Sequence, residues 1–187
     1  MKNTLVQKYS KVVFALCVAV PATWAAVVLK GVGSFLFAWV FNLILMMVVL
    51  AINDAVQPRF KGRYFASRQW EKDGKFYEPF GVHVFRKILV WIGWEKLHKT
   101  ANPVTKRADA LRHLEYATRQ SEFGHALILL VTSGVALAVA YRYGFSGSVW
   151  LLALNMPLHI YPIMLQRFNR PRYQKILCRF DEGIEKN

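Results

Sequence analysis

The sequence predicts an all-α integral membrane protein: a four-helix bundle with a long cytoplasmic loop that contains an interfacial or re-entrant helix. Three observations predict it. Hydrophobic residues make up 55% of the 187, yet 25 Lys and Arg stand against 11 Asp and Glu, for a net charge of +14 with a mean hydropathy of +0.22. Four apolar segments each approach the roughly 20 residues that cross about 30 Å of hydrocarbon at about 1.5 Å per residue. The basic residues, finally, fall almost entirely on one side of those segments. Such hydrophobicity excludes a disordered chain, and the length suits one domain, residues 1–187. A nucleic-acid-binding reading is poor because no recognition motif accompanies the charge.

The first span covers residues 12–29 and is bracketed by Lys11 and Lys30. It is long for the apolar core of a signal peptide, and a second span follows almost at once, so a retained helical hairpin is expected. The second span, residues 32–52, is interrupted only by the polar Asn42, and Gly31-Val32-Gly33-Ser34 suits the tight link before it. The third span covers residues 123–141. The fourth covers residues 147–165 and holds Asn155, Pro157, His159 and Pro162. With four spans, the N-terminus, the loop 53–122 and the tail 166–187 share one side. That side carries 23 of the 25 basic residues, and the other holds only Lys30 and Arg142. Cytoplasmic segments carry the Lys/Arg excess, so both termini and the loop are expected in the cytoplasm, where the charge also suits anionic headgroups.

The loop is too long for a featureless connection. Residues 80–94 are apolar around the pair Arg86 and Lys87, too short and too charged to span. An interfacial helix is expected, with Trp91 and Trp94 near the headgroups. Residues 105–122 favour helix and should run straight into the third span. Cys17 and Cys178 are too few and too far apart for a disulfide framework, and Cys17 is expected to be a buried small hydrophobe. No CxxC-like metal spacing occurs. His83, His98 and His113 lie in basic surroundings and read as surface residues.

Three constellations could carry chemistry. Glu122 and His125 lie three apart, on one helix face, where a polar helix meets the hydrocarbon. A carboxylate can fix the tautomer of an imidazole whose other nitrogen then acts as a base on a hydroxyl. The bland alternative is a helix-end histidine paired with its neighbour. The second constellation is the fourth span and its exit: Asn155, His159, Gln166 and Asn169 or Arg170 fall roughly on one helical stripe, and Pro157 and Pro162 would kink the helix and free carbonyls. Polar groups at membrane depth should face the interior, and Arg170 and Arg172 could guide an anionic or thioester headgroup. Here the alternative is interhelical glue and a positive anchor. The third is Trp70 to Tyr77, where Asp73-Gly74 reads as a turn and Glu71 and Lys75 as a surface pair.

In this order, the three stretches resemble the glycosyl-4,4'-diaponeurosporenoate acyltransferase family, small bacterial membrane proteins of staphyloxanthin-type carotenoid synthesis. Glu71-Lys72-x-Gly74-Lys75-Phe76, Glu122-x-x-His125 preceded by Thr118, and Asn155-x-Pro157 followed by Gln166-Arg167-x-Asn169-Arg170-Pro171-Arg172 carry the resemblance. It runs from about Trp70 to Tyr173, and the last motif is the most specific. His159 stands where the family pattern has an aliphatic residue, and the N-terminal hairpin is complete and the loop longer than in the staphylococcal-type pattern.

The resemblance implies an enzyme of the bacterial inner membrane. It would move a fatty acyl group from an activated thioester to a hydroxyl of a membrane-embedded glycolipid or glycosylated carotenoid. No cofactor or metal is implied; an acyl-CoA or acyl-carrier-protein thioester would be the co-substrate. The partners would be membrane lipids, the acyl donor and the terpenoid or lipid acceptor. Under this reading His125 is the general base, Glu122 orients it, and Asn155, Asn169 or Arg170 stabilises the oxyanion. Arg170, Arg172, Gln166, His159, Thr118, Glu71 and Lys75 would contact substrate. Neither cysteine lies near these residues, which favours direct transfer over an acyl-enzyme. A small membrane methyltransferase or reductase is the alternative enzyme class, and a lipid-binding or assembly subunit the non-enzymatic one. The acceptor, the acyl carrier and the oligomeric state stay open.

Overall fold

A computed structural model describes residues 2–60, 62–93 and 107–185. Trp94 and His98 lie outside the described residues. The described residues are overwhelmingly helical, with no strand among them. Four helical stretches, Tyr9–Lys30, Phe35–Val56, Ala108–Tyr143 and Phe145–Phe180, are long and apolar enough to cross a membrane. The chain divides into two compact units. One comprises Met1–Arg59 and Phe123–Ile160, the other Phe60–Glu122 and Tyr161–Asn187.

In the first unit, α1 (Lys2–Lys30) and α2 (Phe35–Val56) form the expected hairpin. Gly31 closes α1 with a left-handed φ of 79°, and the Ser34 hydroxyl caps α2 by accepting from the Phe37 N–H at 3.1 Å. α4 (Arg107–Tyr143) is one continuous helix of 37 residues, so the polar segment before the third span does run into it. α5 (Phe145–Asn155) follows. The core here is Ala26, Phe37, Ala38, Ala136, Val139, Leu151 and Leu154. Small residues set the spacing: a Cβ on Gly33 would lie 3.2 Å from the Gly147 Cα, so these backbones meet because neither carries a side chain. Large apolar side chains such as Phe14, Val20 and Trp24 point outward, as lipid-facing residues do. Cys17 is exposed too, against the expectation that it is buried. An apolar residue in a membrane helix has two apolar environments available, the bundle and the lipid, and composition does not choose between them.

The fourth span departs from a regular helix. A π-turn, Met156–Ile160, separates α5 from α6 (Tyr161–Glu185). Pro162 has no N–H to return to the Leu158 carbonyl, so the α-helical ladder cannot pass unbroken. The extra residue in a π-turn breaks the even spacing expected of a stripe running from Asn155 to Arg170. Asn155 and His159 belong to the first unit, and Gln166, Asn169 and Arg170 to the second.

The second unit is built from short 3₁₀ turns at Arg63–Phe65 and Gln69–Phe80, the helix α3 (Val82–Trp91), the start of α4, and α6. Its core is Tyr77, Val82, Leu165 and Phe168, flanked by Phe85, Leu89 and Met164. α3 has three sectors. Val82, Phe85 and Leu89 pack inward, His83, Arg86 and Lys87 form a basic strip, and Val84, Ile88 and Trp91 are exposed and apolar. That pattern is the one expected of a helix in the interface.

The segment Lys72-Asp73-Gly74 turns through three successive left-handed residues, with Gly74 at φ 89°. A Cβ there would lie 2.7 Å from the Phe168 carbonyl oxygen and 2.9 Å from its Cα. Both are backbone atoms and cannot swing aside. Gly74→Ala is therefore expected to destabilise the protein by about 2–4 kcal/mol, from left-handed strain plus overpacking. Gly134→Ala, where the added Cβ meets nothing within 4 Å, serves as the control. Thermal unfolding of both variants in micelles checks this; equal midpoints would refute it.

Candidate active site

In the first unit, three elements bring polar side chains together at membrane depth. Asn42 comes from the middle of α2, His125 from α4 and His159 from the π-turn. Asn42 and His159 are fully buried, and His125 is half-buried. The two imidazoles face each other with Nδ1 atoms 3.3 Å apart. His159 Nε2 lies 2.6 Å from Asn42 Oδ1, and Asn42 Nδ2 donates to the Ala38 carbonyl at 2.7 Å. Buried ionisable side chains in a span are costly and point to function by default.

Asn155 has a different setting. Its Oδ1 accepts from the Thr132 hydroxyl at 2.6 Å, and its Nδ2 donates to the Ser133 hydroxyl at 3.3 Å. Both ends of the amide thus join α5 to α4, the role of polar glue between membrane helices.

The second unit holds a buried ion network. Arg167 donates from Nε to Glu122 Oε1 and from a terminal nitrogen to Glu71 Oε1, both at 2.7 Å, and also to the Tyr64 carbonyl at 3.1 Å. Arg170 donates to the Thr118 hydroxyl at 3.0 Å, to the Phe65 carbonyl at 3.1 Å, and to Glu122 Oε2. Glu71 also accepts from the Arg68 N–H at 2.7 Å and the Tyr77 hydroxyl at 2.6 Å. Glu122 is 0% exposed, Glu71 and Arg170 are each 2% exposed, and Thr118 is buried beside them. Two carboxylates meet two guanidiniums, so the formal charge cancels. No buried side-chain nitrogen or oxygen among the described residues lacks a partner.

Burial pushes the Glu71 carboxyl up, but the hydrogen bonds from Arg68, Tyr77 and Arg167 outweigh it and hold the group below its usual 4.5. Burial, and then the neighbouring Glu71, push the Tyr77 hydroxyl up, so it remains a donor. A depressed carboxylate stabilises the fold fully above its unfolded value and loses that stabilisation as pH falls through the folded one. Unfolding midpoints should therefore fall as the solution is acidified below about pH 4.5, and Glu71→Gln should flatten this acid limb while lowering the midpoint at neutral pH. Melting curves between about pH 3 and 7 test it; an unchanged acid limb in the variant would refute it.

The remaining predicted residues are differently placed. Gln166 and Asn169 lie three apart on α6, half-buried, and among the described residues no hydrogen bond engages their side-chain amides. Lys75 is exposed. Arg172 is exposed, with its guanidinium 3.7 Å from the centre of the Phe168 ring and 3.8 Å from Glu78. His83 and His113 are exposed, as expected. Glu71 is not half of a solvated surface pair with Lys75. Glu122 and His125, expected to be partners, each have others: Arg167 and Arg170 for the carboxylate, His159 for the imidazole. Among the described residues no group of His, Cys, Asp and Glu side chains could hold a metal.

Sequence reasoning passed over Asn42, Tyr77 and Thr132 as site residues. For Asn42 a signal existed, a lone amide in an otherwise apolar span. Nothing in the local pattern marked Tyr77 or Thr132.

The sequence model of one family, described as glycosyl-4,4'-diaponeurosporenoate acyltransferase, matches residues 61–179, more than half of the chain. The match takes in both histidines and the whole ion network, and it leaves out Asn42. No curated protein and no solved structure matches the chain.

Proposed function

Since the chain belongs to the glycosyl-4,4'-diaponeurosporenoate acyltransferase family, we propose that it transfers a fatty acyl group from a thioester donor to a hydroxyl of a membrane-embedded glycosylated carotenoid or related glycolipid, with His125 as general base. The observation that carries this reading is the His125–His159 pair, a half-buried imidazole at membrane depth with a second, fully buried imidazole within hydrogen-bond reach. His125 takes the hydroxyl proton as the oxygen attacks the thioester carbonyl. The C–S bond breaks, and the leaving thiolate recovers the proton from the imidazolium. The products are an ester and a free thiol, with no net proton change.

The other side chains divide by what already engages them. Glu71, Thr118, Glu122, Arg167 and Arg170 are bound to one another, which supports a positioning role in the second unit. Asn155 is engaged on both ends by α4, which likewise supports structure. Among the described residues nothing engages the amides of Gln166 and Asn169, and Arg172 is exposed. These three are our candidates for substrate contact. The excess of basic residues supports a cytoplasmic position for both termini and for the thioester's charged carrier.

Mass spectrometry of lipids from cells with and without the protein tests the reaction. A glycosyl carotenoid or glycolipid should gain one fatty acyl mass only when the active protein is present. Identical lipid profiles in the two strains, with the acceptor present in both, would count against acyl transfer.

A further inference from the structure

We infer that Asn42 is a positioning residue that sets the tautomers of both histidines and so leaves His125 Nε2 free to act as the base. The inference deepens, and rests on, the reading of His125 as the base. It is carried by the geometry around the amide, in a part of the chain outside the family match.

The argument is a chain of donors and acceptors. A backbone carbonyl only accepts, so the end of the Asn42 amide 2.7 Å from the Ala38 carbonyl is the NH₂ group. That bond lies within α2, where the helix fixes the carbonyl four residues back. The amide oxygen is thereby aimed at His159 Nε2, 2.6 Å away. An amide oxygen also only accepts, so Nε2 carries a hydrogen. A neutral imidazole has one N–H, which leaves His159 Nδ1 with a bare lone pair. His125 Nδ1, 3.3 Å from it, must then be the donor. The His125 ring also hydrogen-bonds to the Leu158 backbone, whose carbonyl only accepts and so shares the one N–H of a neutral ring. That hydrogen therefore resides at Nδ1, and Nε2 keeps the lone pair that a substrate hydroxyl needs. When Nε2 gains a proton, the Nδ1–H bond to His159 strengthens, and the polarisation passes through His159 to the Asn42 oxygen. An acceptor behind the base plays this part in triads, by fixing the tautomer and stabilising the imidazolium. Here a second imidazole and an amide supply it without placing a buried carboxylate in the span.

The test uses the full-length protein in lipid nanodiscs with ¹⁵N-labelled histidine. In the unsubstituted protein, His159 should be protonated at Nε2 and His125 at Nδ1. Asn42→Leu removes the acceptor and should return His125 to a mixture rich in the Nε2–H form. It should lower kcat by about tenfold or more, with KM unchanged. Asn42→Asp keeps an acceptor toward Nε2 and should restore both the tautomers and most of kcat. Turnover is read with a long-chain acyl-CoA and glycosyl-4,4'-diaponeurosporenoate. A spectrum of the unsubstituted protein with His159 protonated at Nδ1 would overturn the inference, even if the leucine variant failed to fold. So would a leucine variant with unaltered tautomers. Shifted tautomers with unchanged kcat would uphold the role of Asn42 in the pair and instead remove His125 as the base.

Discussion

Replacing Glu122 with alanine is expected to destabilise the protein by about 3–5 kcal/mol, the range found when one partner of a buried ion pair is removed. Its carboxylate is fully buried and accepts from both Arg167 and Arg170. Without it, Arg167 keeps Glu71, but the buried Arg170 keeps only the Thr118 hydroxyl and two backbone carbonyls. The cost is that of an uncompensated guanidinium, not the net worth of one pair. Two further variants make the reading specific. The double change of Glu122 and Arg170 to leucine removes charge of both signs and should recover part of the loss. Arg172→Ala, at an exposed position, should stay within about 0.5 kcal/mol of the unsubstituted protein. Denaturant unfolding in micelles, followed by helical circular dichroism, measures all three. A Glu122→Ala loss as small as that of Arg172→Ala would show that the network is not what holds α4 and α6 together.

The second large effect is catalytic. His125→Ala is expected to lower the rate of acyl transfer by about 10²–10⁴-fold, the contribution of a positioned general base. The variant should still fold. His125 is half-buried and belongs to no ion pair, and its loss leaves the bond between His159 and Asn42 in place. Glu122→Ala and His125→Ala therefore separate two roles that their spacing on one helix had joined. The first is expected to melt early, and the second to melt close to the unsubstituted protein and turn over slowly. Turnover per folded molecule, normalised to the melting curve, distinguishes them. Full acyl transfer by folded His125→Ala would remove this histidine from the mechanism.

The spans were legible because bilayer thickness imposes a length that a run of apolar residues either meets or does not. The start of α4 was legible because a polar, helix-favouring segment without Gly or Pro led directly into the third span. The amphipathic character of α3 could be read from a basic pair set among aromatic and aliphatic residues. At the candidate site, the structure gives Glu122, His125 and Glu71 partners other than those their spacing suggested. Glu122 and His125 are neighbours on a helix face, but an i, i+3 relation says only that two side chains could meet. It does not say that Arg167 and Arg170, more than forty residues further on, would take both carboxylate oxygens. Glu71 read as a turn residue because its immediate neighbours are polar. Its burial depends on Tyr77 and Arg167.

What the sequence by itself determined is the class of protein: four membrane-crossing helices, a basic side, a membership that three short motifs already indicated, and the histidine on which the chemistry is proposed to turn. These are properties of composition, segment length and local spacing, which do not need the chain to fold back on itself. Only the tertiary structure decided which polar groups are engaged and which are left free. Buried donors and acceptors must be paired, and the pairing is made across helices: Asn42 with His159, Thr132 with Asn155, Glu122 with two arginines. Those pairings join residues from 23 to 117 positions apart, a range over which helical periodicity carries no information.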